Sequence, residues 1–167
     1  MRTIKFKGKD IKTRKWVYGY LYKLSLPSGE ACTILTQDNT HLDNSLEPKY
    51  DLAFTLYVDL FVVNPTTICQ FTGLYDKNGK EIYEDDVLLW TRKNVHIEGH
   101  QPQDLLYKCV VYYDDNKCAF QFRCELSCGA CVGWLDFDDD RADESFVEVV
   151  GNIHDNPELI EKGKNNE

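Results

Sequence analysis

The sequence predicts a mainly β protein, and three observations carry that expectation. Apolar residues alternate or come in short blocks bounded by turn residues, the pattern of strands. Asn78-Gly79 sits inside QFTGLYDKNGKEIYEDD (70–86), a strand, a tight turn and a second strand in one stretch. Asp114 to Lys117 forms a polar bend between two β-prone arms, one of them Val110, Val111, Tyr112 and Tyr113. With 167 residues, 43% hydrophobic and 13% aromatic, the chain can bury a core.

Taken in order, strands are expected over Thr3–Lys7, Trp16–Leu24, Ala31–Leu35, Thr55–Val63, Thr67–Thr72, Asp86–Arg92, Leu105–Asp114, Cys118–Glu125 and Ser145–Val150. The Asn78-Gly79 pair predicts a type I′ turn, which asks for positive φ at both central positions. Between Gln37 and Asp51 the residues are polar and aperiodic with Pro48, and Lys93 to Asp104 is a similar interval holding Gly99 and Pro102. Both read as long loops. Helix signals concentrate in the tail, where Asn156 can cap, Pro157 suits the first helical position and Glu158 to Lys162 continue a short helix.

Sliding the chain by 65 positions brings Phe6 onto Phe71, Gly8 onto Gly73, Lys12 onto Lys77, Lys15 onto Lys80 and Tyr18 onto Tyr83. Such a match fits duplicated hairpins. It fits equally two hairpins that use aromatics, Gly and Lys for the same reasons.

Nineteen basic against twenty-eight acidic side chains leave a formal charge of −9, so the summed field repels phosphate backbones and direct nucleic-acid binding is disfavoured. Arg2, Lys5, Lys7, Lys9, Lys12, Arg14 and Lys15 make a local basic patch whose near-alternation is the usual pattern of a solvated face. No apolar run follows the basic residues of MRTIKFKGKD and no stretch approaches the length of a membrane span, so a cytoplasmic protein without membrane contact is expected. Cys32, Cys69, Cys109, Cys118, Cys124, Cys128 and Cys131 are odd in number and scattered among strand-like segments, which predicts reduced thiols acting as small hydrophobes.

KFKGKDIKTRKWVYG (5–19), QFTGLYDKNGKEIYEDDV (70–87) and VVGNIHDNPEL (149–159), in this order, resemble the YopX family of phage and mobile-element proteins. The resemblance is weakest over 37–64 and 93–143. It implies a largely β protein whose C-terminal half is an SH3-like barrel, and no biochemical activity is established for the family as a whole. The division expected on this basis is an N-terminal β lobe over 1–64 and a barrel with a helical tail over 65–167. Two positions depart from the family pattern: Asp85, where Glu-Gly-Asp is usual, and Arg14, where Gly commonly follows the Thr. Asp85 stands at a position expected to favour positive φ, which Asp tolerates better than most residues.

Candidate chemistry is sparse. Cys124, Cys128 and Cys131 give C-x3-C-x2-C, half of a zinc clamp, with Cys118, Cys109, His96 or His100 as a fourth ligand at no customary spacing. The competing reading buries Cys118, Cys124 and Cys109 inside a barrel and makes Ser127 to Cys131 a small-residue turn. His96 and His100 lie in a Gly- and Pro-bearing loop and read as solvated. No phosphate loop, Gly-x-Ser-x-Gly elbow or His-Glu-x-x-His helix is present, so neither an enzyme nor a cofactor is expected.

Asp136, Asp138, Asp139, Asp140, Asp143 and Glu144 form an acidic run in which, counted from Asp136, Arg141 fills the sixth place and Val147 the twelfth of an EF-hand loop, excluding that site. The run is either a solvated loop or a surface for a basic partner, with Trp134, Leu135 and Phe137 beside it. Trp16, Tyr18, Tyr20 and Tyr22 share one face of a strand, either as core or as an interface. The opposite face, Val17, Gly19, Leu21 and Lys23, is mostly apolar too.

The expected function is therefore a non-enzymatic phage or mobile-element accessory protein that binds a protein partner, through Trp16, Tyr18 and Tyr20 or Asp136 to Asp140, and self-associates through its N-terminal sheet. The alternatives are an acidic nucleic-acid mimic blocking a host DNA-binding protein, and a zinc-stabilised binding module.

Overall fold

The computed structural model describes residues 3–26, 29–36, 59–95, 101, 103–126, 129–134 and 145–160. Among these residues eleven strands form two antiparallel sheets, ordered β4-β3-β2-β1-β5-β6 and β10-β9-β8-β7-β11. The chain divides into two compact units, 1–70 and 71–167. Among the described residues no helix is long and apolar enough to cross a membrane.

The first unit holds β1 (Phe6–Lys9), β2 (Trp16–Leu26), β3 (Gly29–Thr36) and β4 (Asp59–Val62). β2 is the pivot. Its first half pairs with β1, Lys9 opposite Trp16 and Lys7 opposite Tyr18, and its second half with β3, from Tyr20 opposite Leu35 to Leu26 opposite Gly29. Ile34 and Val63 are fully buried, and Gly8 lets them close in, since a Cβ there would stand 3.1 Å from Val63 Cβ and 3.2 Å from Ile34 Cδ1. A β1–β2 bend is closed by the Asp10 N–H donating to the Lys15 carbonyl (3.0 Å). The Asp10 carboxylate accepts from the Thr13 hydroxyl (2.7 Å) and amide (2.8 Å), which hold its pKa below the usual carboxylate range.

Arg14 occupies the last position of that bend at φ 62°, the left-handed conformation that glycine adopts without penalty. Arg14→Gly is accordingly expected to raise the stability of this unit by about 1 kcal/mol, read as a higher urea midpoint with an unchanged slope. An unaltered or lower midpoint would contradict it.

β5 (Cys69–Tyr75) follows a single 3-10 turn at Pro65–Thr67 and opens by pairing Cys69 and Gln70 with Lys7 and Phe6. The second unit continues it with β6 (Glu81–Tyr83), β7 (Asp86–Val95), β8 (Gln103–Asp114), β9 (Ala119–Leu126), β10 (Gly129–Trp134) and β11 (Ser145–Asn152). Ile82, Leu88, Cys109, Val111, Cys124, Val147 and Val149 form its core, with Trp90 packed on Tyr107 and Phe122 at ring separations of 5.5 and 5.4 Å.

Several expectations are corrected. The SH3-like barrel does not close among the described residues: β10 and β11 are the two edge strands of a five-stranded sheet and do not pair with each other. Of the expected tail helix, the described residues form one 3-10 turn, Pro157–Leu159, to which Asn156 gives no side-chain cap, and Glu161 and Lys162 lie outside the described residues. Gly129 to Trp134, expected to begin as a turn, is a strand, because its backbone completes a ladder with β9.

The 76–80 turn is not type I′. Only Gly79 has positive φ (78°), the Gly79 N–H donates to the Asp76 carbonyl (2.9 Å) and Asp76 N–H donates to the Lys80 carbonyl (2.8 Å), a type I turn with a glycine bulge. The cysteines are not all reduced either, since Cys109 and Cys124 are joined by a disulfide. They sit directly opposite in β8 and β9, both buried, where the ladder brings their Cα atoms to 4.2 Å. Cys118, expected inside, is exposed.

Candidate functional site

Alternation places Trp16, Tyr18, Tyr20, Tyr22 and Leu24 on one face of β2, and the register extends that face over the neighbouring strands. Tyr20, Leu35 and Leu60 form one row across β2, β3 and β4, and Tyr22, Thr33 and Val62 the next. Lys7 and Lys9 on β1 adjoin Tyr18 and Trp16. Tyr18, Tyr20, Tyr22 and Leu60 are 51%, 59%, 54% and 49% exposed, while Thr33 beneath them is fully buried and donates its hydroxyl to the Tyr22 carbonyl (2.9 Å). The tyrosine stripe is therefore half exposed and is not a closed core face. An aromatic side chain carries about 150–250 Å², so three tyrosines at these exposures present roughly 300 Å², within the size of the patches that mark binding surfaces.

The electrostatics of this strip are uneven. Residues 1–26 hold eight basic side chains against the single carboxylate of Asp10, a net +7, while 27–167 carry −16. The ammonium groups of Lys7 and Lys9 lie over the Trp16 ring, 4.9 and 5.3 Å from its centroid, and Lys7 is only 6% exposed. Exposed Lys12, Arg14 and Lys15 crowd the bend beside Trp16. The face is thus basic at its Trp16 end and aromatic and aliphatic toward Tyr20, Tyr22 and Leu60.

A second cluster joins two of the sequence motifs. Asp86, buried, accepts from the Tyr83 N–H (2.8 Å) and from Asn152 Nδ2 (3.0 Å), and the Asn152 carbonyl oxygen of the side chain accepts from His154 N–H (3.0 Å). Asp85 adopts φ 61°, as expected at that position. Its N–H donates to Val111 O, its carbonyl accepts from Ile153 N–H, and its carboxylate lies 2.9 Å from His154 Nε2. Asp76 Oδ2 accepts from Val149 N–H (3.0 Å), and Lys77 pairs with Glu148 at 2.6 Å. These bonds clasp the β5–β6 hairpin and the β6–β7 bend to β11, so YEDD and VVGNIHD read as a structural lock.

The remaining sequence candidates fare differently. Trp16, Tyr18 and Tyr20 come together as described. Cys124 has its sulfur in the disulfide, so it is no thiolate donor in this state; Cys131 lies opposite it in the β9–β10 register, and Cys128 is outside the described residues. His96, His100 and the acidic run Asp136, Asp138, Asp139, Asp140, Asp143 and Glu144 also lie outside them. Leu35 and Leu60 were missed as parts of the face; the available signal was the alternation of β3 and β4, but their register with β2 is not written in either segment alone.

A profile of the YopX protein family matches residues 5–161. Among solved structures, the chain is similar to the crystal structure of protein EF1440 from Enterococcus faecalis, at 20% identity and a TM-score of 0.45, with 96% of this chain and 100% of that chain covered. No protein with a curated description matches.

Proposed function

The chain belongs to the YopX family, and from that premise we propose that it is a non-enzymatic accessory protein of a phage or mobile element that works by docking a protein partner on the β1–β4 face. The observation that carries this is the exposure of Tyr18, Tyr20 and Tyr22 in one row on a sheet whose other side buries Ile34. Tyrosine is suited to such a surface because it offers a large rigid apolar area with a hydroxyl at its end. The folded hairpins supply the rigid frame.

The test compares tagged full-length protein with the Tyr20→Ala/Tyr22→Ala variant in capture from the native host, followed by titration of the purified captured protein. Equal thermal melting of the two chains establishes that both are folded. The pair sits centrally on the face, so the variant should bind about 30-fold more weakly or worse, the loss expected of interface anchors. Undiminished binding by the variant would refute the reading.

A further inference from the structure

We infer that the partner taken by the tyrosine face is a protein segment with carboxylates at one end and apolar side chains along the rest, which rests on the docking role proposed above. The strip from Trp16 to Tyr22 runs roughly 20 Å at the rise of a strand. Its chemistry changes along that length. At one end stand exposed Lys12, Arg14 and Lys15, with Lys9 and Lys7 behind them over the indole. At the other end Tyr20, Leu35 and Leu60 form a row with no charged side chain in it. A ligand that desolvates this row must bring carbon, and one that reaches the bend must bring negative charge.

The same features disfavour the two other occupants. Single-stranded nucleic acid needs open aromatic faces for its bases and cations spaced along its whole path. Here the largest ring already carries two ammonium groups, Lys7 is buried against it, and the cations gather at one end. A second copy related by a two-fold axis would meet the same patch. Laid antiparallel, the basic bend of each copy would lie over the Tyr20–Leu60 row; laid parallel, it would lie over the other basic bend. Neither arrangement brings a carboxylate of the facing patch to Lys12, Arg14 and Lys15.

The test uses the full-length chain and three fluorescein-labelled probes. One is a short peptide with a block of Asp and Glu followed by a block of Leu and Tyr. The second has Lys in place of the acids, and the third is an oligo-dT. Fluorescence anisotropy should show the acidic–apolar peptide bound about tenfold more tightly than either of the others, as charge complementarity at a partly desolvated border allows. Lys12→Glu/Lys15→Glu should remove that preference, Tyr20→Ala should weaken the peptide further, and raising salt should narrow the gap between acidic and basic probes.

Equal binding of the acidic and basic peptides would overturn the inference, as would tighter binding of oligo-dT. Dimerisation of the wild-type chain in light scattering that Tyr20→Ala abolishes would assign the face to a second copy and overturn it as well. If Tyr20→Ala/Tyr22→Ala abolishes capture of the native partner while charge reversal has no effect, the docking role stands and the acidic border falls. If the tyrosine variant changes nothing, both fall.

Discussion

Replacing Asp76 by Ala is expected to destabilise the second unit by about 3–4 kcal/mol, since a buried charged acceptor of several hydrogen bonds leaves its donors stranded. The residue is 7% exposed. Its Oδ1 accepts from Asn78 N–H (2.8 Å) and Lys80 N–H (2.9 Å), and its Oδ2 from Val149 N–H (3.0 Å), seventy-three positions away. One carboxylate therefore builds the turn and fastens it to β11. Asn at this position keeps the size and one oxygen acceptor, so Asp76→Asn should lose less than Asp76→Ala.

The same group makes a pH prediction with a defined sign. Burial pushes the Asp76 pKa up, and the three backbone donors together with Lys80 outweigh it, so the carboxyl lies below its ordinary value. A lowered folded-state pKa gives stability that is present above the unfolded value of about 3.9 and is lost as pH falls through the folded value. Urea denaturation of wild type and Asp76→Asn at neutral pH and at pH near 3 checks both statements. The wild type should lose part of its advantage over the variant in acid. A constant difference across that range would dissociate Asp76 from the acid limb, and a variant as stable as wild type at neutral pH would remove its role.

How far the fold was legible depends on which interactions are local. The Asp76 to Lys80 bend was visible because Asn78 and Gly79 are turn residues, but the turn type was not: Asn tolerates positive φ and need not take it. What decides is the Asp76 side chain, which receives the Asn78 and Lys80 amides and selects the type I geometry with Gly79 alone left-handed. The Arg14 and Gly79 positions, 65 apart, both take positive φ and both precede a lysine whose carbonyl accepts from an aspartate N–H, so the Lys15 and Lys80 match marks a common closure. Gly129, Ala130, Cys131 and Gly133 carry little intrinsic strand preference, and β10 exists because β9 offers it a ladder.

The face of β2 that would stay open was a tertiary matter. Period two put the four aromatics together, yet both faces looked apolar. The readable sign was glycine: Gly8 and Gly19 lie on the side opposite the tyrosines, where Val63, Ile34 and the Leu35 carbonyl come closest. Small residues in a strand mark the side that another backbone approaches, which leaves the bulky side outward. The disulfide was illegible for a related reason, because Cys109 and Cys124 are fifteen positions apart and only the hairpin register makes them neighbours.

Gly19→Ala should be the most damaging single substitution in the first unit. A Cβ there would stand 2.0 Å from the Leu35 carbonyl oxygen, 2.9 Å from its carbon and 3.1 Å from Ile34 Cγ2. Two of these atoms are backbone, so no rotamer change relieves the clash and β2 or β3 must move. The strain falls where β2 leaves its ladder with β1 at Gly19 and enters that with β3 at Tyr20. Overpacking of a tight site costs about 1–3 kcal/mol, and more where the backbone itself is struck, so a loss of about 3 kcal/mol or more is expected. Because Tyr20, Leu35 and Leu60 share the adjoining row, the variant should also lose partner docking at temperatures where it remains folded. Hydrogen exchange supplies the check: the amides of Tyr20 to Leu24 and Ala31 to Leu35 should exchange markedly faster, while those of β7 to β9 keep their protection. Uniform protection together with an unchanged melting temperature would mean that Leu35 yields freely, and the pivot assigned to Gly19 would be wrong.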